Sequence, residues 1–433
     1  MSKQRIQLSD HFTYPRLLRF VLPCIGTMLF TSIYGIVDGL CVSNFVGKTA
    51  FAAVNLIMPL PMLLGTIGFM LGTGGSAIVG ITLGEGDQKK ADRYFTLFLL
   101  AALISVSVLA VLGIVFLRPI AVLLGAKGEL LDYAVRYGRI LMVSLPTFAL
   151  QNMFQSFFVT AEKPHLGFWF TVGAGCTNMV LDVLMVGIWG WGVEGAAIAT
   201  FISQLVGGVL PVFYFIDRSN SSRLHLCQTK VYGGVLRDAC INGSSELMTN
   251  LSMSLVNILY NYQLLRLAGE NGVAAYGVIM YAAFLFVAVF VGYAVGSAPI
   301  VSFHYGARNH AEVHNLYRKS LRLIAVVAVT LTLASMFIIP CVARVFVGYD
   351  AELLALTSRA FRLYALSFLI MGFNVYASSF FTALGDGVTS ALISFLRTLA
   401  FQVIAILLLP MLLGIDGIWL AVTAAELAAL AVS

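Results

Sequence analysis

Residues Tyr94–Leu117 read YFTLFLLAALISVSVLAVLGIVFL, a stretch without a single charge. As a helix it would span roughly 36 Å, enough to cross the roughly 30 Å hydrocarbon core of a bilayer. Runs of this kind recur along the whole chain. Of its 433 residues, 60% are hydrophobic and 11% charged. A soluble domain is about 45–50% apolar and about 25% charged. The apolar residues suffice for roughly a dozen spans of about 20 residues each. That excludes a soluble enzyme, a nucleic-acid binder and a disordered chain. An outer-membrane barrel is excluded too, because its strands alternate over about ten residues and do not form long apolar runs.

Polar punctuation divides the chain into twelve segments, at 16–40, 51–80, 94–117, 133–160, 166–189, 193–216, 234–264, 272–302, 318–342, 354–383, 388–412 and 416–433. The expected fold is therefore an all-α polytopic membrane protein with twelve transmembrane helices. The longest polar stretch between spans, Asp217–Lys230, reads as a linker between an N-terminal half, 1–216, and a C-terminal half, 231–433. The net charge of +6 is an orientation signal. Sixteen Lys and Arg fall on the side of the N-terminus, nine on the other, and Arg397 within a span. The excess places both termini in the cytoplasm, with Trp189 and Trp191 at the outer interface. The first apolar run, Leu17–Val42, is too long for a cleavable signal peptide. The six cysteines form no C-x-x-C pair and read as small packing residues.

The halves repeat. At an offset of 222, GTGGSAIV (Gly72–Val79) falls on AVGSAPIV (Ala294–Val301), and Gly84 falls on Gly306. GVEG (Gly192–Gly195) falls on GIDG (Gly414–Gly417). At 223, Arg136 and Arg139 fall on Arg359 and Arg362, and Ser156–Phe158 on Ser379–Phe381. An even number of spans per half gives both halves the same orientation, so the expectation is two pseudo-symmetric six-helix lobes with a substrate site between them. Gly68-x-x-x-Gly72 and Gly292-x-x-x-Gly296 lie in repeat-related spans and read as close-packing surfaces.

A charge at the bilayer centre costs about 2.5–3.5 kcal/mol on insertion scales, so acids inside spans are turned inward, paired or neutralised. Four acids qualify: Asp38, Asp182, Glu246 and Glu426. Asn178 and Asp182 are four apart and share a helix face. With Thr200 in the sixth span and Asp38 in the first, their oxygens would form one N-lobe cluster suited to a hard cation or a proton. Glu246 is a candidate second acidic site. Glu426 reads as an inner-leaflet residue near the cytoplasm, and Arg397 as a residue that snorkels or pairs inside the C-terminal half. Tyr34, Gln151, Asn152, Phe154 and Asn374 are candidate cavity residues, with helix-packing contacts as the plainer reading. Pro23 is a candidate helix bend, because it removes a backbone hydrogen bond.

With the twelve spans in two halves, Pro23 and Asp38 of span one, the N-x-x-x-D of Asn178–Asp182 and the loop LGEGDQKKAD (Leu83–Asp92), the chain resembles the multidrug and toxic compound extrusion family. It is most similar to the bacterial branch of the staphylococcal multidrug exporter and its DNA-damage-inducible relatives. The resemblance implies a cation-coupled exporter of amphipathic, often cationic compounds in the bacterial plasma membrane. It implies that Asp38, Asn178, Asp182 and Thr200 bind H⁺ or Na⁺, with no other metal or cofactor, and that span one bends at Pro23. Other branches of the family use a span-seven glutamate and a span-ten aspartate. Glu246 matches the first, but Asn374 stands near the second.

The expected activity is antiport by alternating access, with small amphipathic molecules as substrates, lipid as surroundings, no nucleic-acid partner and a monomer as working unit. One charge moving down 100 mV releases about 2.3 kcal/mol, enough for roughly a 50-fold gradient of a neutral substrate. A lipid-linked oligosaccharide flippase of the same superfamily is the alternative. A major facilitator transporter fits less well, because GEGDQKKADR lacks its usual loop pattern. An embedded enzyme is not expected: the six histidines fall in or beside loops, and His310-x-x-x-His314 reads as a solvated pair.

Overall fold

The computed structural model describes residues 6–45, 48–348 and 350–433. Lys3 and Arg5, two of the sixteen basic residues counted on the N-terminal side, lie outside them. Among the described residues every regular element is a helix. The first half comprises α1 (Tyr14–Phe45), α2 (Lys48–Ile57), α3 (Pro59–Gly84), α4 (Gln88–Leu123), α5 (Glu129–Thr160), α6 (Pro164–Leu181), α7 (Gly192–Gln204) and α8 (Leu210–Ile216). A π-helical turn, Asp182–Ile188, extends α6, and another, Leu205–Val209, joins α7 to α8. The second half comprises α9 (Gly233–Asn242), α10 (Ser244–Gly306), α11 (His310–Val347), α12 (Ala351–Ala365), α13 (Phe368–Ala383), α14 (Gly387–Phe395), α15 (Phe401–Leu413) and α16 (Ile415–Val432). A third π-turn, Leu396–Ala400, links α14 to α15.

Among the described residues, nine helices are long and apolar enough to cross a membrane, and α12 with α13, bent by 47°, make a tenth span. Two more complete the twelve. The 32-residue α5 spans by length. The 63-residue α10 would be roughly 95 Å long as one rod, three bilayers deep. It is a hairpin. Gly269 has φ 61° and ψ −149°, a region open only to glycine. Tyr260 and Tyr276, sixteen positions apart, stack with centroids 4.9 Å from each other, and the Tyr276 hydroxyl donates to Asn257 Oδ1 at 2.7 Å. In a continuous helix these rings would be about 24 Å apart.

The repeat is visible in matching ion pairs at the end of the bundle remote from the 217–230 linker. Arg136 meets Glu194 at 3.7 Å in the first lobe, and Arg359 meets Asp416 in the second. The sequence offset pairs these same positions. Trp189 and Trp191 lie at that end, about half exposed.

The lobes join at the opposite, linker end, where glycines let backbones touch. A Cβ at Gly84 would fall 2.0 Å from the carbonyl oxygen of Phe303, and one at Gly306 would fall 2.0 Å from that of Ile81. One at Gly80 would strike Ser302. Gly74 abuts Ala239 and Gly243 as its repeat partner Gly296 abuts Val21 and Cys24. The Gly68-x-x-x-Gly72 pattern serves a different purpose: both residues face Ala149 and Met153 of α5, inside their own lobe.

Polar contacts reinforce this end. Glu162 accepts from the Leu8 amide at 2.9 Å and from Arg223 Nη1 of the linker at 2.5 Å. Across the interface, Glu312 of α11 accepts from the Phe12 amide at 2.9 Å and bonds His11 Nδ1 at 2.6 Å. His304, beside the turn that ends α10, is buried against Phe12 and Phe303 and belongs to this packing. His310, beside the preceding turn, opens α11.

Candidate functional site

In the first lobe, α1 runs as one helix through Pro23 to Phe45, so no break at the proline accompanies this conformation. The Thr27 hydroxyl donates to the Pro23 carbonyl at 2.9 Å. α1 packs against α6 and the π-turn that follows it, and this juxtaposition brings Asp38 to Asp182. Asp182 is fully buried and opens the π-turn, a local widening common at functional sites. The two carboxyl groups are close enough to interact directly. As carboxylates both are acceptors only. Both oxygens of Asp182 and Oδ1 of Asp38 accordingly lack a partner, as does the Nδ2 of buried Asn178. Buried polar atoms are normally paired. A proton shared between the carboxyls, or a small cation held by their oxygens, would supply what is missing.

Tyr34 and the buried Tyr137 lie within electrostatic range of Asp38, and Tyr137 also within range of Asp182. Thr200 lies on α7, which packs on the same π-turn, but its hydroxyl donates to Ala196 at 3.0 Å. Its lone pairs alone are left for a cation. Tyr137 was not singled out from the sequence, because nothing separates it from other interior tyrosines.

The other candidates of this lobe are packing residues. Phe154 stacks on Phe215 at 5.5 Å in the aromatic core and does not line a cavity. Gln151 packs against Gly207 of the π-turn between α7 and α8. Asn152 is buried with an unpartnered Nδ2.

A cavity of about 260 Å³ opens in the second lobe, closed on one side by Thr73, Ser76 and Ser156 of the first. Glu246, Arg397 and Glu426 line it, with Tyr260, Tyr276 and Met280 along its length. Glu426 is not the water-reached residue expected near the chain end, but is buried. Its side chain is 2% exposed, with Arg397 Nη1 3.6 Å from Oε1 and Asn374 Nδ2 donating to Oε2 at 2.7 Å. Asn374 is fully buried behind Glu426 and, contrary to expectation, holds that carboxylate without lining the cavity. Arg397 in the middle of a span was the sequence signal for this network.

A family model described as MatE matches residues 23–184 and again 247–408. The chain belongs to the MatE family. The two matches lie 224 positions apart, close to the 222–223 offset of the sequence repeat, so each lobe of this MatE chain is one copy of the unit. "Multidrug export protein MepA" of Staphylococcus saprophyticus is 21% identical over 408 residues, covering 93% of this chain and 87% of that protein. Among solved structures, one described as an outward-facing conformation of a multidrug resistance MATE family transporter of the MOP superfamily superposes with a TM-score of 0.93 at 23% identity, covering 100% of this chain and 96% of the other. A MATE crystal structure in complex with MaL6 gives 0.93 at 22% identity, over 100% and 97%. These structures share the fold of this MatE chain.

Proposed function

We propose that this chain exports small amphipathic molecules from a bacterial cell as a cation-coupled antiporter. The observation that carries the reading is Asp38 set against the buried Asp182, with Oδ1 of Asp38 and both oxygens of Asp182 lacking a hydrogen-bond partner. Two carboxylates in a low-dielectric site repel, and one H⁺ or Na⁺ relieves the repulsion. The names of its relatives, multidrug export proteins, support the substrate class. The basic-residue bias supports a linker end in the cytoplasm of a bacterial plasma membrane. The glycine contacts at that end then correspond to an outward-facing state.

In this cycle the cation enters from outside and binds Asp38 and Asp182, with Asn178 and Thr200 as further oxygen donors. Substrate leaves outward. The lobes, residues 1–216 and 231–433, then rock apart at the linker end and together at the far end. Substrate enters from the cytoplasm as the cation departs. No chemical bond is made or broken in this cycle, which is that of a transporter and not of an enzyme, and a single chain holds every part it needs.

The test is efflux in proteoliposomes across imposed pH or Na⁺ gradients, with a panel of amphipathic drugs. Gradient-driven movement of at least one drug, with one of the two ions, is the expected result. Movement of none under either gradient would overturn the proposal.

A further inference from the structure

Arg397 is a guanidinium deep within a span, its side chain 11% exposed, on the π-turn Leu396–Ala400. Arginine stays charged in proteins and offers five donors, and a charge at this depth needs partners. Those of Arg397 are incomplete. Nη1 stands 3.6 Å from Glu426 Oε1, beyond the roughly 2.7–3.2 Å of an N–H···O bond. Nε is buried without any acceptor. Glu426 takes its short bond from Asn374 instead. Glu246 lines the same cavity and feels Arg397 through charge, but its carboxylate accepts no hydrogen bond among the described residues.

One wall of the cavity thus holds an under-used cation, and a free carboxylate lies within its field. The stacked Tyr260 and Tyr276 and Met280 line the cavity as its apolar part. The volume, about 260 Å³, sits just under the roughly 300–1,000 Å³ of drug-sized pockets.

We infer that this cavity binds a small zwitterionic amphiphile. Its carboxylate occupies the Nε–Nη edge of Arg397, its ammonium group lies at Glu246, and its apolar body lies along Tyr260, Tyr276 and Met280. A purely cationic ligand would face the guanidinium and leave Nε unsatisfied. A purely anionic one would face Glu246 and Glu426. Only a ligand with both charges satisfies both ends. The inference rests on the efflux reading for its biological use, and the Asp38–Asp182 pair has no part in it.

The test compares three probes with one aromatic body: an amino acid, its methyl ester and its N-acetyl derivative. Equilibrium binding to the purified full-length chain needs no gradient, so it is read independently of the efflux assay. The expected order is amino acid, then ester, then N-acetyl compound. In R397Q the preference for amino acid over ester falls about 10- to 100-fold, and the ester binds more tightly as a repelling charge is removed. R397Q leaves Glu426 without its counter-charge, so R397Q/E426Q, which removes both charges together, is the second variant and loses the same preference. Arg397→Lys, with its charge but no planar fork, falls in between. Equal or tighter binding of the ester by the unmodified chain would overturn the inference and leave the efflux proposal standing. So would an unchanged preference in both Gln variants.

Discussion

Gly84 and Gly306, 222 positions apart in the sequence, occupy equivalent places across the lobe interface. Each lies against a carbonyl of the other lobe, of Phe303 and Ile81 respectively. Phe303 and Ile81 are themselves 222 apart, so the contact is two-fold in the way of a symmetric dimer interface. A methyl group at either position would sit 2.0 Å from backbone, and no side-chain rotation relieves a clash with backbone. Gly84→Ala or Gly306→Ala is therefore expected to part the lobes at the linker end. Labelling of a cysteine placed at Ser302 by an impermeant maleimide, applied from the linker side, should accelerate at least several-fold. Unchanged labelling would show that this contact does not close the interface.

Gly269 turns the 63-residue helical stretch into a hairpin at φ 61° and ψ −149°. Any other residue there carries roughly 1–3 kcal/mol of backbone strain. Gly269→Ala should lower the thermal midpoint of the purified protein measurably. Gly277→Ala, on the next helical stretch with open space around the added methyl, should not.

The Asn374–Glu426–Arg397 network predicts an ordering. Asn374→Leu leaves one oxygen of Glu426 without its short bond and costs about 1–3 kcal/mol. Glu426→Gln leaves a buried guanidinium without its paired counter-charge and costs more, about 3–5 kcal/mol. Removing both charges in R397Q/E426Q should recover part of that loss. Thermal unfolding of the three variants checks the order. A double variant less stable than Glu426→Gln would contradict the pairing.

Glu312 holds the N-terminal segment to the second lobe through Phe12 and His11, and Asn315 supports it at 2.9 Å. Glu312→Ala should release the segment. Hydrogen exchange of peptides covering residues 8–12 should rise at least tenfold, while exchange within α5 stays as it was. Equal protection in the variant would mean that Glu162, bonded to the Leu8 amide, suffices alone.

The fold was legible from apolar runs and one offset, because spans and repeats are properties of pattern. Asp38, Asn178 and Asp182 were legible because an acid inside a span is costly and therefore conspicuous. The burial of Glu426 was missed because distance from the chain end says little about packing, which here depends on Asn374 and Arg397, 52 and 29 positions away. Phe154 was left between cavity and packing because an aromatic on a helix near polar neighbours looks the same whether it faces a cavity or, as here, Phe215. The strap through Leu8, His11 and Phe12 carries no pattern at all: its anchors, Glu162 and Glu312, are ordinary loop and helix-start acids.

The most direct test of the coupling claim is transport by Asp182→Asn in proteoliposomes, measured two ways: exchange of labelled substrate without a gradient, and efflux driven by H⁺ or Na⁺. Asparagine is close in shape and can donate to Asp38, so the lobe should stay assembled while the cation loses its second carboxylate. The predicted result is exchange that persists and a gradient that no longer accelerates efflux. Gradient-driven efflux by the variant at the rate of the unmodified chain would contradict the assignment of coupling to Asp38 and Asp182.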